Sequence, residues 1–111
     1  MQKLSFLDNT RFADKPQIDL MLESEQGKEI RICMQKGNEM AEHKAPGAIV
    51  IMVLSGCVDI GSDEGSVTLG AGEAVHFAAR VPHSLVAAED SVIRLSLSKN
   101  DSIKRVEGLV L

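Results

Sequence analysis

Apolar residues in this chain fall into short runs, and nearly every run is closed by glycine, proline, asparagine, aspartate or serine. An amphipathic helix needs apolar positions three and four apart over ten residues or more. Runs this short and this often punctuated predict strands, and so an all-β fold. "IDLML" (18–22) and "EIRICM" (29–34) flank the polar stretch "ESEQGK" and read as a hairpin. In the second, Ile30, Ile32 and Met34 share one face and Arg31, Cys33 and Gln35 the other, because side chains alternate along a strand. "AIVIMVL" (48–54) is apolar on both faces and reads as a strand buried on both sides. "CVDI" (57–60) and "SVTL" (66–69) flank "GSDEG" as a second hairpin, and "AVHF" (74–77), "SLVA" (84–87) and "SVIRLSL" (91–97) complete the set. Residues 100–111 suit a short helix or a tail. Gly56, Gly65, Gly70 and Gly72 are expected in turns that need permissive dihedrals. Many short strands at regular spacing imply a sandwich or a barrel.

The 111 residues form one domain, spanning 1–111, long enough to bury one core. The net charge is −4, the basic residues are scattered, and the chain has no Tyr or Trp. With neither a basic stripe nor stacking platforms, nucleic acid is not an expected partner. No apolar run approaches the roughly 20 residues that span a bilayer, so no membrane is expected either. "MQKLSFLDNT" has one lysine and no long apolar stretch, which does not suit a secretion signal, and a cytoplasmic location is the default. Cys33 and Cys57 then read as reduced thiols packed near the core.

Two stretches carry the chemistry. "GNEMAEHKAPGAIVIMVLSG" holds His43 before a Pro46-Gly47 turn, and "GEAVHFAARVPHSLVA" holds His83 forty residues on. They resemble the two motifs of the cupin superfamily. The first motif is Gly, five residues, His-x-His, three or four residues, Glu, six residues, Gly. Here Gly37 and His43 match, Ala45 stands at the second His, Ile49 at the Glu, and Gly56 closes the motif. The second is Gly, five residues, Pro-x-Gly, two residues, His, three residues, Asn. Gly72 and His83 match, while Ala78, Arg80 and Ala87 replace the Pro, Gly and Asn. The resemblance implies a small single-domain, RmlC-like cupin, a jelly-roll barrel (double-stranded β-helix) of the conserved-barrel type, with its core over about residues 29–98.

The same resemblance implies a ligand pocket at His43, Ala45, Ile49 and His83, with His43 and His83 as what remains of a metal set of three His and one Glu. A catalytic zinc site wants three protein ligands, and a non-haem iron site wants a facial triad. Ala45 and Ile49 donate nothing, so any third ligand has to come from Glu39, Gln35, Cys33, His76 or solvent. No cofactor is expected, and a divalent ion (Fe, Mn, Ni or Zn) enters only through such an off-motif ligand. No catalytic residue is assigned, since Ser55, Ser84 and Ser96 lack a His–Asp partner at recognisable spacing. The function expected is a binding or sensing protein that takes a small molecule in the barrel at a degenerate metal site. The alternative is a metal-dependent dioxygenase, isomerase or lyase on a small metabolite. A metal-free enzyme with one histidine as general base is a third reading, and a His–Tyr epimerase pair is ruled out by the lack of Tyr. Single-domain cupins commonly resemble homodimers, so a homodimer is expected, with "KLSFL" (3–7) as a strand that could pair across the interface.

Overall fold

The computed structural model describes residues 1–110. The described residues form nine strands and one helix, in order: β1 (Gln17–Ser24), β2 (Gly27–Met34), β3 (Glu39–His43), β4 (Ile49–Ser55), β5 (Cys57–Ser62), β6 (Gly65–Gly70), β7 (Ala74–Phe77), β8 (His83–Ala87), β9 (Ser91–Leu97) and α1 (Ile103–Gly108). They build two antiparallel sheets, ordered β1-β2-β9-β4-β7 and β3-β8-β5-β6. The two sheets face each other as a jelly-roll barrel. Both hairpins read from the sequence are present, β1–β2 and β5–β6.

Period-two alternation puts the core between the sheets. Ile30, Ile32 and Met34 of β2, Ile49, Ile51 and Val53 of β4, and Ile93, Leu95 and Leu97 of β9 meet Met40, Val58, Ile60, Leu69 and Leu85 from the other sheet. All are buried, and each such side chain is worth on the order of 1.5–3 kcal/mol over its exposed state. The strand over 48–54 departs from expectation. Its inner residues Ile49, Ile51 and Val53 are buried, but Val50 on the other face is 37% exposed and Met52 and Leu54 are only half-buried. The reason is that no second layer among the described residues covers this part of the outer face. Over β2 there is one: Arg31, expected on an outer face, is buried, donating from Nη1 to the Asp8 carbonyl at 2.7 Å and from Nη2 to Asp19 Oδ2 at 2.9 Å. The segment 3–7 forms no strand, and its Phe6 carbonyl belongs to this same clamp.

Residues 39–43 form a strand that the apolar runs did not announce, because only Met40 in it is apolar and buried. Gly56 sits in the β4–β5 turn at φ +95°, and a Cβ there would collide with Ser91 and the Asp90 carbonyl, so the turn requires glycine. Gly70, by contrast, has no positive φ and needs no such freedom. Cys33 and Cys57 are both free thiols. The tail over 100–111 is helical at Ile103–Gly108, with Ser102 Oγ accepting from the Arg105 amide as N-cap; residue 111 lies outside the described residues. No helix among the described residues is long and apolar enough to cross a membrane.

Candidate functional site

His43 ends β3 and His83 begins β8, and the two are register partners across that pair of strands. A bulge makes this possible. Met40 points into the core, and strict alternation would send Glu42 inward and His43 out. The register shifts between Met40 and His43, so Ala41 and Glu42 stay exposed and His43 turns inward. The rings meet edge to face with centroids 4.2 Å apart. Phe77, at the end of β7, stacks on the His83 ring with centroids 4.8 Å apart.

Each imidazole is oriented by its own backbone. His43 Nδ1 lies 2.8 Å from the Ala41 carbonyl, and His83 Nδ1 lies 2.9 Å from the Val81 carbonyl. A carbonyl only accepts, so both Nδ1 atoms carry the proton, and each neutral ring keeps its lone pair on Nε2. Neither Nε2 makes a hydrogen bond among the described residues. Burial is the main cause that lowers both pKa values below the usual histidine value. The backbone hydrogen bonds oppose it, while Arg105, and for His43 also His83, push in the same direction. The pair is therefore held neutral at pH 7.

The walls are apolar. Ile32, Ile49 and Ile51 face Met40 and Leu85 around the two rings, and the space left is about 10 Å3, room for one water. Ile49 lines this space together with His43 and His83; Ala45 is buried but does not line it, its carbonyl accepting from the Arg80 amide at 2.8 Å. None of the off-motif candidates reaches it. Glu39 and Gln35 are exposed, Cys33 is buried on the outer face of β2, and His76 is exposed on β7 beside surface clefts of about 210 and 190 Å3. The sequence reading allowed a short helix over 100–111 but gave it no place at the site. Arg105, Val106 and Leu109 close the end of the cavity, and Arg105 is held there by Asp101 through Nε at 2.6 Å and Nη2 at 2.8 Å. The signal was present: Ile103, Val106 and Leu109 stand three apart, an apolar stripe for a helix.

A family model for the cupin domain matches residues 30–98. The chain belongs to the cupin family. Solved structures similar to this cupin include an RmlC-like cupin protein from Desulfovibrio desulfuricans, at 24% identity and TM-score 0.80 over 88% of this chain and 96% of that one. A conserved protein of unknown function from Streptococcus pyogenes is 22% identical at TM-score 0.77, covering 91% of this chain and 90% of its own. KdgF from a Halomonas species is 20% identical at TM-score 0.68, over 77% and 82%. At these identities the likeness shows the fold. A search of curated proteins finds no match.

Two departures from the cupin motifs have structural consequences. Arg80 stands where the second motif has Gly, yet its backbone keeps a left-handed conformation at φ +67°. A non-glycine residue is disfavoured there by roughly 1–2 kcal/mol. The site's donor set is the second departure. Among the described residues no three His, Cys, Asp or Glu side chains come together to hold a metal ion. Two imidazoles beside an isoleucine wall and a guanidinium do not fit the three-ligand requirement of a catalytic metal centre.

Proposed function

We propose that this cupin is a binding or sensing protein that takes a small molecule inside the barrel at His43 and His83, without a metal or other cofactor. The observation that carries the reading is the pair itself. Two neutral imidazoles, each held through Nδ1 by a backbone carbonyl and so left with an acceptor at Nε2, line one apolar cavity, while the positions that would complete a metal set hold Ala45 and Ile49. Convergent polar groups in an apolar enclosure are the usual make-up of a small-molecule site. A cytoplasmic homodimer belongs to the same reading. The exposed Val50 and half-buried Met52 on the outer face of β4 support it, and light scattering tests it.

The test combines metal analysis and ligand screening on untagged protein purified without added metal. Metal well below one equivalent is expected, together with thermal shifts from small polar metabolites that vanish in His43→Gln and His83→Gln. About one equivalent of iron, manganese, nickel or zinc would instead assign a metal-dependent enzyme.

A further inference from the structure

The space beside the imidazoles is about 10 Å3, and side chains of the 105–109 stretch form one of its walls. Val106 is fully buried, and with Leu109 and Arg105 it fills the end of the barrel; the rest of the cavity wall comes from strands. The helix is tied down at one end only. Asp101 pairs with Arg105, Ser102 caps the first turn, and Lys28 Nζ donates to the carbonyls of Lys99 and Asp101. From Val106 to Val110 no side-chain hydrogen bond among the described residues reaches the barrel, so packing alone holds that stretch. A six-residue helix is unstable by itself, so undocking and unwinding are one event. Such an element belongs to the low-stability end of a fold.

We infer that α1 is a displaceable stopper of the barrel, and that what displaces it is a small neutral molecule carrying hydroxyl groups on an aliphatic body. This rests on the binding reading above. The ligand class follows from complementarity. Both Nδ1–H groups are committed to carbonyls, so the pair presents two acceptors and calls for donors. An ammonium group or second cation would sit beside Arg105, which lines the same cavity and stays paired with Asp101 when the 106–110 stretch leaves. A carboxylate would face two lone pairs, and the guanidinium that could compensate is already taken in bidentate fashion by Asp101. Hydroxyls meet neither objection, and Ile49, Ile51, Leu85 and Leu95 suit an aliphatic body. Its size is set by what leaves, roughly the seven carbons of the Val106 and Leu109 side chains, because a close-packed interior keeps its volume.

The probe is 1,2-hexanediol, titrated by NMR into the full chain and into Val106→Ser, with Val106→Ala as the milder variant should the first fail to fold. Weakening the stopper raises the population of the open barrel, so the diol should bind the variant about tenfold or more tightly than the native chain. Hexylamine and hexanoate should bind the same variant more weakly than the diol by about tenfold or more. In the native chain, saturating diol should accelerate amide exchange across 103–110 and leave β4 and β9 unchanged. Diol bound at the histidines with α1 exchange unchanged would overturn the stopper while leaving the binding site intact. Diol binding to Val106→Ser that survives His43→Gln and His83→Gln would overturn the histidine site while leaving the stopper intact. Equal affinity for hexylamine, or no diol binding in any of these chains, would overturn the ligand class.

Discussion

Asp101→Ala should be among the most damaging single changes outside the sheets. Its side chain is 1% exposed and makes three hydrogen bonds: Oδ1 accepts from the Ser102 amide at 2.7 Å and Arg105 Nε at 2.6 Å, and Oδ2 accepts from Arg105 Nη2 at 2.8 Å. Removing one partner of a buried ion pair costs about 3–5 kcal/mol. The Arg105 side chain is 24% exposed, so the stranded guanidinium recovers some hydration, which brings the expected loss to about 2–3 kcal/mol. For a domain of this size that corresponds to a fall of roughly 8–12 °C in Tm. Urea denaturation measures it, and a double-mutant cycle with Arg105→Ala isolates the pair. The double variant should be less destabilised than the sum of the singles by about 1.5 kcal/mol or more, because it strands no charge. Amide exchange should rise across α1 before it rises in the barrel. A coupling energy below about 0.5 kcal/mol would show that the pair behaves like a screened surface contact, and the argument from burial would fail.

Three further outcomes follow from the same geometry. Because His43 and His83 have folded pKa values lowered below the ordinary 6.5, unfolding takes up protons as pH drops. Their stability contribution is complete above pH 6.5 and is lost as pH falls from there through the folded values, by up to about 1.4 kcal/mol per pH unit for each group. His43→Gln with His83→Gln should flatten the pH profile of urea midpoints in that window, and an unchanged profile would contradict the burial argument. Arg80→Gly should raise stability by about 0.5–1 kcal/mol, the relief of left-handed strain less the greater freedom of glycine when unfolded, and a lower Tm would refute it. Ile49→Glu with Ala45→His should lower stability without metal, since a carboxylate enters an apolar wall, and nickel or manganese should then restore Tm far more than it shifts the native protein. A large metal-induced shift in the native chain would mean that two imidazoles are not its whole ligand set.

The β architecture was legible in the order of residues alone. Runs such as "AIVIMVL" and "SVIRLSL", closed by turn-forming residues, are too short for amphipathic helices, and the alternation in "EIRICM" is a two-residue period that a strand facing a core buries. It also marked His43 and His83 through their spacing from Gly37 and Gly72, and it showed that Ala45 and Ile49 stand where ligands would be. Tertiary structure decided the rest. Whether His43 faces in or out rests on a one-residue bulge after Met40, and a bulge is fixed by pairing with β8 rather than by local preference. The outer face of β2 carries the charged Arg31 and that of β4 the apolar Val50, yet Arg31 is buried and Val50 is exposed, because the segment around residues 6–9 folds back over β2 and its carbonyls accept from the Arg31 guanidinium. The stopper was the least legible element. Ile103, Val106 and Leu109 mark a helix, but six residues carry no stability of their own, and nothing local states which surface they cover. That surface is the mouth of a barrel assembled from strands far away in the chain, so the contact exists only once the fold does.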